Sequence, residues 1–315
     1  MRKISAVVFA LFVLSSVALA QSQQAPTLHI VSEDGNKLPS DLLYGNTKVK
    51  PLRLRPGTNV PITIDDSDFF VQQQYVDFLS RFPDQSGFAF WQDQINSCGA
   101  GDAQCVAVRR VNTSGAFFLS IEFQNTGYFV YKTYKAAFGD INPPAVPVPV
   151  RRETFMPETR SIANGVVVGQ DNWQAQLDAN KNTYVQAFVQ RPAFTAKYPA
   201  AMSAAQFVDA LFANAGVTPN ATERQAAIDA FNASGRAAAL RSVADSNTLQ
   251  QSEFNKAFVL LQYFGYLKRN PDDAPDTNFS GYNFWLSKLN QFNGDFTQAE
   301  MVKAFISSDE YRGRF

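Results

Sequence analysis

Apolar residues recur along this chain with two different periods. From Asp66 onward the period is helical. Val71, Tyr75, Phe78, Leu79 and Phe82 fall at i, i+4, i+7, i+8 and i+11, which is one face of a helix. Ser67 or Asp68 is expected to cap its start. Pro83-Asp84 is expected to end it, because proline drives the residue before it out of helical geometry. Asp84 or Ser86 then caps a second helix whose inner face is Phe88, Trp91 and Ile95. A third helix starts near Gln104 and runs towards Phe117 and Phe123. Before Asp66 the pattern differs. Residues 27–31, 48–56 and 60–64 alternate apolar with polar or proline, with turn signals at Asp34-Gly35 and Pro56-Gly57. That stretch is too short for an independent sheet, so an extended arm or loosely packed ribbon is expected.

The helical unit repeats. First-helix faces recur as Val71-Tyr75-Leu79 with Pro83, Val130-Tyr134-Phe138 with Pro143, Phe207-Leu211-Ala215 with Pro219, and Val259-Tyr263-Leu267 with Pro271. The chain's tryptophans, Trp91, Trp173 and Trp285, are assigned to second-helix positions, with Ile95, Leu177 and Leu289 four residues on. The third copy lacks a tryptophan and uses Ile228. Each copy closes with two apolar residues six apart: Phe117 and Phe123, Phe188 and Phe194, Val243 and Leu249, Phe305 and Tyr311. Two further helix starts read as capping boxes, Ser203-x-x-Gln206 and Thr297-x-x-Glu300. The proline-rich run at 143–149 is extended, a linker or a strap, and marks a hinge between two halves.

The expected fold class is therefore all-α: degenerate helical repeats packed in one or two lobes, with a short extended N-terminal arm. The segments are a leader (1–20), the arm (21–65), a first helical repeat region (66–142), a Pro-rich linker or insertion (143–170), degenerate helical repeats (171–254) and a C-terminal helical repeat (255–315).

Composition narrows the functional classes. A basic start at Arg2-Lys3, an apolar run and Ala18-Leu19-Ala20 make a secretory signal peptide cleaved after Ala20. No other run is long enough to span a membrane. The whole chain carries 28 basic and 28 acidic side chains, so losing Arg2 and Lys3 leaves it near neutral. Nothing in that balance calls for nucleic acid or anionic lipid. Cys98 and Cys105 are expected to pair in an oxidising compartment.

Catalytic motifs are missing from the sequence. His29 is the one histidine, without a partner for metal or nucleophile. There is no serine elbow, zinc motif, P-loop or dinucleotide fingerprint. A glycosidase acting through two carboxylates is the enzymatic alternative. Asp272, Asp276 and Asn278 lie in an acidic turn whose D-x-N-x-S-G run from Asp276 to Gly281 matches half a calcium loop, but Ser287 stands where a bidentate glutamate is needed. A solvated turn with Ser280 or Asn278 as cap is the favoured reading over a calcium site. Arg81 with Asp84, and Arg269 with Asp272, are expected to bridge their turns. Tyr128, Tyr131 and Tyr134 are read as core, with an exposed sugar-stacking strip as the alternative.

The repeat carries a family resemblance. Tyr263-x3-Leu267-x-Arg269-x-Pro271-Asp272, Gly281-x3-Trp285 and Phe305-x2-Ser308-x-Glu310-Tyr311 resemble domain of unknown function 4214, a helical repeat of exported bacterial proteins. Tyr75 to Trp91 and Phe117-x2-Ser120-x-Glu122-Phe123 match it again. A more distant likeness is to phycobilisome linker domains. The C-terminal copy departs from the first by six extra residues in its turn. The resemblance implies an extracellular interaction role and supplies no catalytic residue or cofactor. The expected function is a secreted binding or structural module of a bacterial surface or matrix, with an extracellular protein or glycan as partner. A calcium-dependent adhesin segment is the third alternative.

Overall fold

The computed structural model describes residues 28–32 and 39–315. The expected leader and the Asp34-Gly35 turn lie outside the described residues. The arm pairs into a small antiparallel sheet of β1 (Leu28–Ser32), β2 (Pro39–Tyr44) and β3 (Thr47–Val49). Gly45, at φ 59°, opens the two-residue turn between Tyr44 and Thr47, a position that calls for positive φ. So β1, β2 and β3 pair as an antiparallel meander where an extended arm or loosely packed ribbon was expected. Hydrogen bonding across the three strands supplies what an isolated ribbon would lack.

Helix dominates the remainder. The first unit is α1 (Ser67–Gln74), running on into a π turn (Tyr75–Leu79), then α2 (Gln85–Asn96), α3 (Ala103–Leu119) and α4 (Ile121–Asn125). The second is α5 (Gly127–Phe138), α6 (Arg152–Ala163), α7 (Trp173–Phe188) and α8 (Pro192–Lys197). The third is α9 (Ala204–Ala215) and α10 (Ala221–Ala244), which breaks at Gly235 with φ 79°. The fourth is α11 (Asn247–Gln262), a second π turn (Tyr263–Leu267), α12 (Ser280–Gln291), α13 (Met301–Ser307) and α14 (Asp309–Arg312).

The pairs six residues apart mark one recurrent joint. All eight of those residues are buried. Ser120, Ser246 and Ser308 sit between the members of three pairs. Each donates its hydroxyl back to a carbonyl, at 2.8 Å from Phe117 O, Val243 O and Phe305 O. Each also accepts from the N–H of the second pair member, Phe123, Leu249 or Tyr311, at 3.1, 3.4 and 3.1 Å. The serine thus ends one helix and caps the next while both apolar neighbours face the core. In the second unit Arg191-Pro192 makes the joint, with proline in the first turn of α8.

Several local expectations change. Asp66 takes the N-cap position of α1, and its carboxylate accepts from Thr63 N at 2.7 Å and Arg55 at 2.8 Å instead of closing a helix cap. Asp84 caps α2, accepting from Gly87 N at 2.8 Å. The Ser203–Gln206 box forms. The Thr297–Glu300 box does not: Asp295 takes the N–H groups of Thr297 and Gln298 at 2.9 and 3.0 Å, and α13 begins after Glu300. Trp173 begins α7 instead of sitting midway along a second helix. The helix that ends at Phe188 therefore fills the third place of its unit, and α6 fills the second. That α6 lies within 143–170, and Val148, Val150, Phe155, Ile162 and Val166 there are buried. Of linker and strap, the packing is that of a strap.

One contiguous apolar core runs through all four units, so the repeats form one lobe. α5 lies at its centre and touches α4, α6, α9, α10 and α11. The first and fourth units also meet, α3 against α13 and one π turn against the other. Among the described residues no helix is long and apolar enough to cross a membrane.

Candidate functional site

Each unit that carries the Arg-x-Pro-Asp signature builds the same aromatic clasp. Arg81 and Arg269 directly follow a residue in the left-handed region, Ser80 at φ 53° and Lys268 at φ 57°. The reversal swings the arginine back over its own unit. Arg81 lies 4.9 Å over the Tyr75 ring and Arg269 lies 5.3 Å over the Tyr263 ring. Beneath them Tyr75 meets Phe117 edge-on at 4.8 Å, and Tyr263 meets Phe305 at 5.2 Å. Trp91 and Trp285 close the far side at 5.7 and 5.9 Å from the same two phenylalanines.

The charge partners differ from those expected. Arg81 donates twice to Glu122, at 2.8 Å each, and only weakly to Asp84 at 3.4 Å. Arg269 donates to Glu310 at 2.6 and 3.1 Å and to Asp276 at 2.8 Å, and does not bridge to Asp272. Glu122 and Glu310 follow the joint serines, so the arginine ties the first turn of a unit to its last helix. A paired, fork-like geometry is what guanidinium and carboxylate favour. Asp272 is turned outward to Arg151 of the strap, at 2.9 Å for its second contact. Burial, with Asp84 and Asp276 nearby, pushes the Tyr75 and Tyr263 hydroxyls up to about 12.

The acidic turn is therefore committed to donors within the protein. Asp276 serves Arg269, Asp272 serves Arg151, and Asp273 accepts from Asn270 Nδ2 at 2.9 Å. Asn278 Oδ1 accepts from Ser280 N at 2.8 Å, a cap-like contact at the start of α12. Asp272, Asp276 and Asn278 do not converge on one point. Among the described residues no group of acids, histidines and cysteines is placed to hold a metal ion.

Cys98 and Cys105 are bonded and join the end of α2 to the first turn of α3. Tyr128 and Tyr131 are fully buried, and Tyr131 and Tyr134 donate to Glu253 and Glu158 at 2.8 and 2.7 Å. They are core, not a sugar-stacking strip. Among the described residues every carboxyl group with a displaced pKa is displaced downward, with hydrogen bonds or cations prevailing over burial.

What sequence reasoning passed over is the residue before each clasp tryptophan. Phe90 is 55% exposed and Phe284 is 57% exposed. Each ring stands edge-on to its neighbour, at 4.9 Å from Trp91 and 5.0 Å from Trp285. The signal was the Phe-Trp dipeptide, repeated in two copies at a position that faces away from the core.

No curated protein and no solved structure matches the chain. A family model does match, over residues 237–315, and it begins just past the Gly235 break in α10. With Tyr263, Arg269, Gly281, Trp285 and Tyr311 placed as described, this C-terminal segment is the part of the chain that matches the family described as Domain of unknown function (DUF4214).

Proposed function

We propose that the chain is a secreted, non-catalytic binding or structural module of a bacterial cell surface or extracellular matrix. The observation that carries this reading is the duplicated exposed phenylalanine. A single exposed apolar ring is ordinary on a protein surface. The same ring kept at the same place in two diverged copies is not required by the fold, because Trp91 and Trp285 already anchor their helices. Exposed aromatic rings beside half-buried ones are what interaction surfaces use. The Cys98–Cys105 bond and the leader-like residues 1–20 support export, since disulfides persist in oxidising compartments.

Two measurements test this together. The full chain, expressed in a bacterial host, is expected in the exported fraction with its N-terminus at Gln21. Purified protein is expected to bind isolated cell envelope, and the Phe90→Ala/Phe284→Ala variant to bind several-fold less with an unchanged melting temperature. An uncut leader in the cytosol, or equal retention of both proteins, would overturn the proposal.

A further inference from the structure

We infer that the groove between α11 and α12 is a binding site for a neutral oligosaccharide. It has a volume of about 450 Å³, within the roughly 300–1,000 Å³ range of small-ligand sites. Its polar lining is mostly primary amides, from Gln250, Gln251, Asn255, Asn290 and Asn293. Each amide offers two donors and a carbonyl acceptor. A pyranose presents adjacent hydroxyls that each donate and accept, so amides match them without any net charge.

The amides are held but not used up. Asn255 Nδ2 donates to Asn290 Oδ1 at 2.8 Å, which ties α11 to α12. That bond leaves the Asn255 carbonyl and the Asn290 amino group unspent. Gln250 Oε1 accepts from the buried Lys132 at 3.3 Å, which leaves its amino group. Gln251 and Asn293 make no side-chain hydrogen bond among the described residues. Gly294 keeps the Asn255 oxygen uncovered, since a Cβ there would stand 3.0 Å from it.

The rest of the lining fits the same ligand. Phe254 and Leu286 supply apolar surface for the C–H face of a sugar ring. Phe254 is itself fixed edge-on against Phe118 at 5.4 Å and Tyr128 at 6.0 Å. The one charged lining residue, Lys256, is neutralised by Glu253 at 2.7 Å. An anionic polysaccharide would find no free cation there, and a metal ion no carboxylate. An extended peptide is disfavoured, because both walls are helices whose backbone groups are already bonded and offer no edge to pair with.

The site uses neither Phe90 nor Phe284, so its test stands apart from the envelope-binding test above. The full chain is titrated with hexamers of β-1,4-linked glucose and of β-1,4-linked N-acetylglucosamine, by calorimetry and ligand-observed NMR. Polygalacturonate and a soluble extended hexapeptide are the comparators. At least one neutral hexamer is expected to bind with a millimolar or tighter dissociation constant. Asn290→Leu is expected to weaken it at least tenfold. Gln251→Ala, at an exposed side chain with no bond to lose, is expected to weaken it several-fold with an unchanged melting temperature. The inference is overturned if neither neutral hexamer binds, if Gln251→Ala and Asn290→Leu leave affinity unchanged, or if the polyuronate or peptide binds in preference.

Discussion

Phe78 and Tyr266 meet edge-on with their ring centroids 5.0 Å apart, and they hold the same position in two copies of the repeat. Their contact sets the two π turns, and with them the first and fourth units, against each other. The surrounding rings repeat within each copy: Phe78 meets Phe123 at 6.1 Å, as Tyr266 meets Tyr311 at 5.2 Å. Both rings lie in π turns, where one extra residue per turn reorients the side chains that follow. The likeness fails one position earlier, where the first copy has Asp77 and the fourth has Gly265. Any Cβ at Gly265 would come within 2.9 Å of the Phe78 ring.

That asymmetry creates a buried charge group with a pH signature. Asp77 is fully buried and lies 3.0 Å from Lys268, with two 2.8 Å bonds from Arg314. Burial works to raise its pKa, but Arg314 and Lys268 prevail and hold it below the usual carboxylate value. A depressed folded value gives stability that is fully present above the unfolded pKa of about 3.9 and lost as pH falls below it. Asp77→Asn leaves two cations facing each other and is expected to cost about 3–5 kcal/mol at pH 7. Urea unfolding of both proteins from pH 7 to pH 2.5 checks this. The gap between them should narrow below about pH 4, and a constant gap would refute the assignment.

The two arginine clasps should differ in strength despite their common geometry. Glu122 keeps only 5% of its side chain exposed, whereas Glu310 keeps 33%. Removing one partner of a buried pair is costly where the remaining charge has no good second partner: Arg81 keeps only Asp84 at 3.4 Å, whereas Arg269 keeps Asp276 at 2.8 Å. Glu122→Gln is expected to lower stability by about 3 kcal/mol. Glu310→Gln is expected to lower it by about 1 kcal/mol, with Asp276 still serving Arg269. Denaturant midpoints of the two variants decide the order, and a larger loss for Glu310→Gln would show that Asp276 does not compensate Arg269.

Much of this architecture was legible in the chain. The i, i+4 faces, the closing pairs and the two Arg-x-Pro-Asp copies all report local rules, and local rules survive into the fold. Partner choice did not. Arg81 and Asp84 are neighbours in sequence, but Glu122 lies where the last helix of the unit returns, and only tertiary packing brings it there. Trp173 misled for a similar reason. Its spacing to Leu177 is helical wherever it falls, and the strap that inserts α6 before it leaves no periodic trace. The amide groove was invisible because asparagine and glutamine on two helices carry no motif.

The Cys98–Cys105 bond closes an exposed loop outside the core, so its loss should lower stability without changing the fold. Loop entropy gives about 2.5 kcal/mol for a closure of this length. Cys98→Ser/Cys105→Ser is expected to lower the melting temperature while keeping the far-ultraviolet circular dichroism of the oxidised protein. Wild-type protein under reductant should behave the same way. Loss of helical signal in either case would mean that the loop organises α2 and α3 instead of merely tethering them.

The glycine of the Gly-x-x-x-Trp signature is explained by the tyrosine of the same unit. A Cβ at Gly87 would overlap the Tyr75 hydroxyl, and one at Gly281 would stand 2.7 Å from the Tyr263 hydroxyl. Both glycines lie in the first turn of a helix, where alanine is otherwise the better residue. Gly87→Ala is therefore expected to destabilise by about 1–3 kcal/mol through overpacking, against its own helix propensity. Tyr75→Phe removes the obstructing oxygen. The double variant Gly87→Ala/Tyr75→Phe should recover most of the loss, giving a coupling of about 1–2 kcal/mol between the two sites. Additive losses would place the cost of the alanine elsewhere, in the Asp84 cap that the Gly87 N–H satisfies. The same cycle at Gly281 and Tyr263 should show the same sign with a smaller coupling, because the approach there is less close.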